Sequence, residues 1–273
     1  MLHFISIMPS DWRFLFMGSD SSVSHMNRSA AIREQVATAK LDFTYIPDNV
    51  ALVSSEDTSQ FLSNPWLYKA LRPAEWLLVF QTDSILCANS PRSVDDYLGY
   101  DWVGSPWHTD GTFGGNGGLS LRRVSAILDV LRHSVRANDT EAEDVWLAER
   151  LNQRPGAKMA NGTLSLTFSG EQYAGNPKRV TKGESDDWRD GFYEPMGYHT
   201  GSGGTMLHAA LWGTLELRKH IWDYCPEVKM VLAMDDARYV PGNCHSNWKR
   251  DLDGTEAEDV EEYAPLPPNL VPW

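Results

Sequence analysis

Two carboxylates in this sequence stand where chemistry can be done. Asp83 follows the uninterrupted apolar run Trp76-Leu77-Leu78-Val79-Phe80, after only Gln81 and Thr82. In open α/β sheets, ligands gather at the carboxyl ends of strands, so a carboxylate there is placed to hold a divalent cation. An Asx-turn residue that ends a strand is the alternative reading of the same position. Asp144 shares a helical face with Leu147, Ala148 and Leu151, the apolar stripe of the segment Thr140 to Asn152. Thr140 and Glu143 read as a capping box, which predicts a helix start at Thr140 and gives Glu143 a structural task. A carboxylate one turn into that helix and on its apolar side can take a proton from an incoming hydroxyl. The alternative for Asp144 is a first-turn acid that only complements the helix dipole.

Between the two lies the glycine cluster of "TFGGNGGLSLRR". Glycine weakens strand and helix interiors, so Gly114, Gly115, Gly117 and Gly118 around Asn116 imply positive φ or a close approach to bare backbone. The stretch has neither the Lys-Ser/Thr of a P-loop nor a G-x-G-x-x-G opening a helix. A strand pattern follows it. The reading is a ligand floor, with Asn116 and backbone N–H groups as directional contacts.

Alternating strand and helix patterns must position these groups. Strands are expected over "WRFLFMGS", "LDFTYIP", Trp76 to Phe80 and "YDWVGSPW", and in the stretch after the glycines. Trp76 to Phe80 reads as a central parallel strand buried on both faces. Helices are expected at Arg28 to Ala39 with Ser29 as cap, around Gln60 to Leu71, from Val124 to about His133, from Thr140, and as one long helix from Gly203 to Tyr224. The alternation predicts an α/β sheet in one domain.

The 273 residues are 42% hydrophobic and carry a net charge of −13. Such an acidic chain argues against a nucleic-acid partner. No run reaches the length of a membrane span. Residues 235–273 read as an acidic, Pro-rich tail, disordered or loosely docked, with seven acids and no Lys or Arg between Asp251 and Trp273. Cys87, Cys225 and Cys244 are too few and scattered for a disulfide framework or zinc cluster, so buried thiols are expected. Sequons at Asn27, Asn138 and Asn161 permit a secretory location.

"LLVFQTDSILC", "YDWVGSPW", "GGNGGLSLRR", "AEDVWLAERL" and "PMGYH" occur in that order. Together they resemble the domain-of-unknown-function family 5672, common in fungi, which is itself similar to glycosyltransferases of the GT-A type. The likeness runs from about Phe4 to Met234. It implies a GT-A-like, Rossmann-like mixed sheet flanked by helices, spanning residues 1–234. It also implies a metal-dependent glycosyltransferase that moves a sugar from a nucleotide-sugar, of the UDP-sugar class, to a hydroxyl on a glycan, protein or small molecule. By that likeness Asp83 and His199 would hold Mn²⁺ or Mg²⁺, and Asp144 would be the base. Gln81, Thr82, Gly115, Asn116, Gly117, Gly118 and Glu143 would contact donor or acceptor. Trp107 and Trp146 could stack on sugars, with core packing the alternative. Arg122 or Arg123 could meet phosphates, with solvated strand-end charge the alternative. A cation would offset charge on the leaving diphosphate.

The chain departs from the pattern in two places. Gln81 is neutral where the first Asp of an Asp-x-Asp would stand, and the first strand of the fold is expected to be missing. A non-catalytic nucleotide- or glycan-binding module of the same fold is therefore the competing expectation. The compartment stays open: secretory or Golgi lumen if an anchor precedes this segment, cytoplasm otherwise.

Overall fold

Short polar caps start most of the helices, and the strands between them are only a few residues long. The computed structural model describes residues 1–47, 50, 52–109, 113–174 and 193–233. The expectation for the tail 235–273 and Cys244 lie outside these. Helix α1 (Leu2–Ile7) leads to strand β1 (Phe14–Gly18). Helix α2 (Asp20–Met26) is capped by Ser19, and α3 (Ala30–Ala37) by Ser29, whose side chain accepts from the Ile32 N–H as the sequence predicts. Strand β2 (Leu41–Tyr45) is followed by α4 (Ser55–Leu62), with a Ser54/Asp57 capping box, and by α5 (Pro65–Ala70). Strands β3 (Trp76–Phe80), β4 (Ser84–Leu86), β5 (Trp102–Ser105) and β6 (Asn116–Arg123) come next. Then follow α6 (Val124–His133), α7 (Glu143–Asn152), α8 (Gly162–Phe168), β7 (Ser169–Gly170), β8 (Gly197–His199), α9 (Ala209–Trp212) and α10 (Leu215–Tyr224). No described helix is long and apolar enough to cross a membrane.

The architecture is a mixed α/β single domain built on three small sheets. β1 and β2 pair in parallel; β6 lies between β3 and β5, antiparallel to both; β8 lies between β4 and β7. Trp76 to Phe80 is therefore not the central parallel strand expected. It pairs with β6 alone and is half-buried along its whole length. Its apolar run reflects a hydrophobic slot along its free edge rather than cover on both faces. The long helix expected from Gly203 to Tyr224 is two, divided at Gly213 and recapped by Thr214. Helix α7 starts at Glu143 instead of Thr140: the Thr140 hydroxyl bonds back to the Ala137 carbonyl, so no capping box forms.

The thiols are the plainest correction. Cys87 and Cys225, both buried, form a disulfide that joins the end of β4 to the end of α10 across 138 residues. No local spacing could announce a pair so far apart in the chain. Around it, Ile85, Leu86, Leu119, Tyr198 and Trp212 belong to the larger core, while Trp102, Trp146 and α6 build a second cluster.

Candidate active site

Three strand ends meet at one imidazole. The β4–β8 register sets Ser84 opposite His199, and the β7–β8 register sets Gly170 opposite Tyr198. Asp83, one residue before β4, and Glu171, one residue after β7, thus reach His199 at the end of β8. His199 Nε2 lies 3.3 Å from Asp83 Oδ1, and Nδ1 lies 3.5 Å from Glu171 Oε1. Neither contact has hydrogen-bond alignment, so both ring nitrogens are buried without a proper partner. Burial opposes a charged imidazole, but the two carboxylates outweigh it and hold the His199 pKa at about 9. Burial also pushes the Asp83 carboxyl up, and the imidazole pulls it to a net position below its ordinary value. Further bonds fix Asp83: its Oδ2 accepts from the Gly203 N–H at 2.9 Å, and its carbonyl accepts from the Thr200 N–H.

The glycines close the site on one side. A methyl on Gly118 would run into the His199 ring, and a methyl on Gly117 would lie 3.1 Å from the Asp144 Cβ. Consecutive residues of an extended chain project to opposite sides. The Gly117–Gly118 step therefore stands between two clusters: Asp83, Glu171 and His199 against Gly118; Arg122, Glu143 and Asp144 against Gly117. Asn116 belongs to the first, donating from Nδ2 to Glu171 Oε1 at 3.2 Å while its Oδ1 accepts from the Gly118 N–H at 2.7 Å. Asp144 belongs to the second. Its Oδ2 accepts from the Gly117 N–H at 2.9 Å and its Oδ1 from the Val145 N–H at 2.8 Å.

Arg122 meets neither of its expectations. It is fully buried and gives its protons to Glu143 Oε1 (2.8 Å), the Gly117 carbonyl (3.1 Å), the Ser120 hydroxyl and the Tyr68 hydroxyl, with its guanidinium over the Trp102 ring. A strand-end arginine is internal here because β6 runs under α7, so it is neither solvated nor turned to a phosphate. Burial raises the Glu143 pKa, with Arg122 opposing and Asp144 adding to the rise. Glu143 is thus the arginine's counter-ion, not a capping-box acid.

The other candidates separate. Gln81 and Thr82 are exposed and line the slot beside β3, next in the chain to the buried Asp83, and the Gln81 N–H bonds the Gly118 carbonyl. Gly115 adopts φ +151°, and a methyl there would meet the Gly104 and Ser105 carbonyls at 2.7 Å, so close strand packing explains it. Trp107 is half-buried with its ring edge against Gly114. Trp146 is 2% exposed, packed in the second cluster under the Arg150 guanidinium, so it follows the core-packing alternative and offers no face to a sugar.

Glu171 and His208 were missed in the sequence. Glu171 follows a two-residue strand, too short for any periodicity, yet like Asp83 it is an acid next to a strand end. His208 is buried with both ring nitrogens unpartnered; burial lowers its pKa against the opposing pull of Glu171. Two carboxylates and a histidine, once it has given up its second ring proton, are the right donor types for a divalent cation. Among the described residues, though, no three such side chains already stand as a cage.

A family model described as a protein of unknown function (DUF5672) matches residues 40–199, more than half of the chain. No curated protein matches.

Proposed function

We propose that this chain, which belongs to the DUF5672 family of proteins of unknown function, is a metal-dependent glycosyltransferase with a GT-A-like fold. It would transfer a sugar from a UDP-sugar to a hydroxyl acceptor. The observation that carries the reading is the convergence of Asp83, Glu171 and His199 from three separate strand ends onto the bare backbone of Gly118. Asp83, Glu171 and His199 would hold Mn²⁺ or Mg²⁺, which when bound offsets charge on the departing diphosphate. Loading that position requires His199 to release the proton that the two carboxylates now hold on it. Asp144, fixed by two backbone N–H groups at the start of α7, would take the acceptor proton, a role worth typically about 10²–10⁴-fold in rate. Glu143 is committed to Arg122 and keeps α7, and with it Asp144, in register against β6.

Incubation with Mn²⁺ and a panel of UDP-sugars tests the reading. Release of UDP that is lost in Asp83→Asn, and lost in Asp144→Asn with UDP binding intact, supports it. Absence of both binding and turnover across the panel sinks it. One observation favours a second reading, a binding module without turnover. Both Asp144 oxygens already accept backbone bonds, a structural task that fits an acid with no proton to move. Calorimetry showing UDP binding, with no release from any donor, selects that reading.

A further inference from the structure

Strands β1 and β3 face a common slot, and each turns an unpaired edge to it. The slot encloses about 850 Å³ and is lined by every residue from 13 to 17 and every residue from 76 to 82. A strand shows alternate residues through its faces and successive ones only along its edge, so the slot meets both strands edge-on. The ladders agree. In β3, the Gln81 N–H bonds the Gly118 carbonyl and the Val124 N–H bonds the Glu75 carbonyl. Antiparallel alternation then turns the N–H and C=O of Trp76, Leu78 and Phe80 away from β6. In β1, the Phe14 N–H bonds the Lys40 carbonyl and the Ile46 N–H bonds the Gly18 carbonyl. That alternation leaves Leu15 and Met17 with free backbone groups on the slot side. No other described strand pairs with either edge.

We propose that this slot is a docking site for an extended, apolar, proline-free segment of another polypeptide, which adds as a strand between β1 and β3. Two facing rows of backbone donors and acceptors specify the occupant: only an extended peptide carries both kinds of group at strand spacing on both of its edges. The walls select apolar side chains. Arg13 is the single Lys, Arg, Asp or Glu among the lining residues, and it is held outside by Asp42 at 2.7 Å. Five extended residues span about 17 Å, the length of either wall. The described residues end at 233, close in the chain to Met230 and Val231, which line the slot, so the chain's own residues 234–273 are a candidate occupant. Their composition is wrong for the task. Pro265, Pro267, Pro268 and Pro272 have no N–H to give, and residues 251–262 are strongly acidic. A small apolar molecule could fill the volume but would leave both edges unpaired.

The test is random-peptide display on the intact chain, followed by amide exchange with the selected peptides. Selected sequences should be proline-free and rich in β-branched and aromatic residues. On binding, exchange at Leu15, Met17, Trp76, Leu78 and Phe80 should slow roughly tenfold or more, while Leu77 and Val79, already bonded to β6, stay unchanged. Leu78→Pro removes one slot-facing donor without touching the β6 ladder and should weaken binding roughly tenfold, more than Leu78→Ala does. If Leu78→Pro fails to fold, the exchange pattern of the wild-type chain decides alone. Bound peptides that leave those five amides unprotected overturn the proposal. So does selection of proline-rich sequences, displacement of the peptides by dodecanoate with no change in exchange, or protection that rises with protein concentration as a dimer forms.

Discussion

His199 carries a proton because two carboxylates flank it, and stability should follow that proton. Its folded pKa, about 9, exceeds its unfolded value of 6.5. Its contribution, of the order of 3 kcal/mol, is therefore fully present below about pH 6.5 and is lost as pH rises through 9. Urea unfolding in EDTA from pH 6 to pH 10 should show that decline, and His199→Gln should flatten it. Gly118→Ala pushes on the same ring. It should drop the His199 pKa toward its ordinary value in an NMR titration and leave Arg122 undisturbed. Glu143→Gln removes the counter-ion of a fully buried arginine. The expected cost is about 3–5 kcal/mol by denaturant unfolding, with much of it recovered in the double variant Arg122→Met, Glu143→Leu. Asp83 and Asp144 could be singled out as candidates in the sequence because one follows an apolar run and the other shares a helical face with Leu147, Ala148 and Leu151, although the helix starts at Glu143 and not at Thr140. The partition between them was not legible, since the Gly117–Gly118 step that separates the two clusters shows only in the extended backbone. Arg122 was misread for a related reason: nothing in "LSLRR" says which of two arginines lies under a helix.

At the scale of elements, the site depends on strands of three, three and two residues. Such lengths defeat periodicity, so β4, β7 and β8 could not be read from the chain, while β1, α3 and α6, longer and well patterned, could. The Cys87–Cys225 bond ties β4 to α10 and closes a 138-residue loop. Cys87→Ala with Cys225→Ala should lower stability by about 2–5 kcal/mol, and dithiothreitol should reproduce that loss in the wild type. A melting temperature unchanged by reductant would show that the bond does not form in solution. The Glu56–Arg136 pair clips α4 to the loop before α7, with two bonds of 2.9 and 2.6 Å. First Arg136, then Gln60, hold the Glu56 carboxyl down at about 2. That clip stabilises above the ordinary carboxylate range and is lost as pH falls through 2, which a Glu56→Gln comparison in acid unfolding would reveal.

The whole molecule carries a net charge of −13, which favours cations near every acidic recess. If Mn²⁺ binds at His199, a concentration 100 times its dissociation constant should add about 2.7 kcal/mol to stability, reversed by EDTA and absent in His199→Gln. A melting curve indifferent to Mn²⁺ would remove the metal from the proposed function. The three sheets also set what kind of change the molecule can absorb. Asp83, Glu171 and His199 are each delivered by counting residues along a strand, and a slip of one residue turns a side chain to the other face. Loops elsewhere can be lengthened or rebuilt with little effect on the cluster. A single inserted or deleted residue between Asp83 and Leu86, or between Gly197 and His199, would aim a group at the wrong side of its sheet and dismantle the cluster while leaving all three residues in the chain.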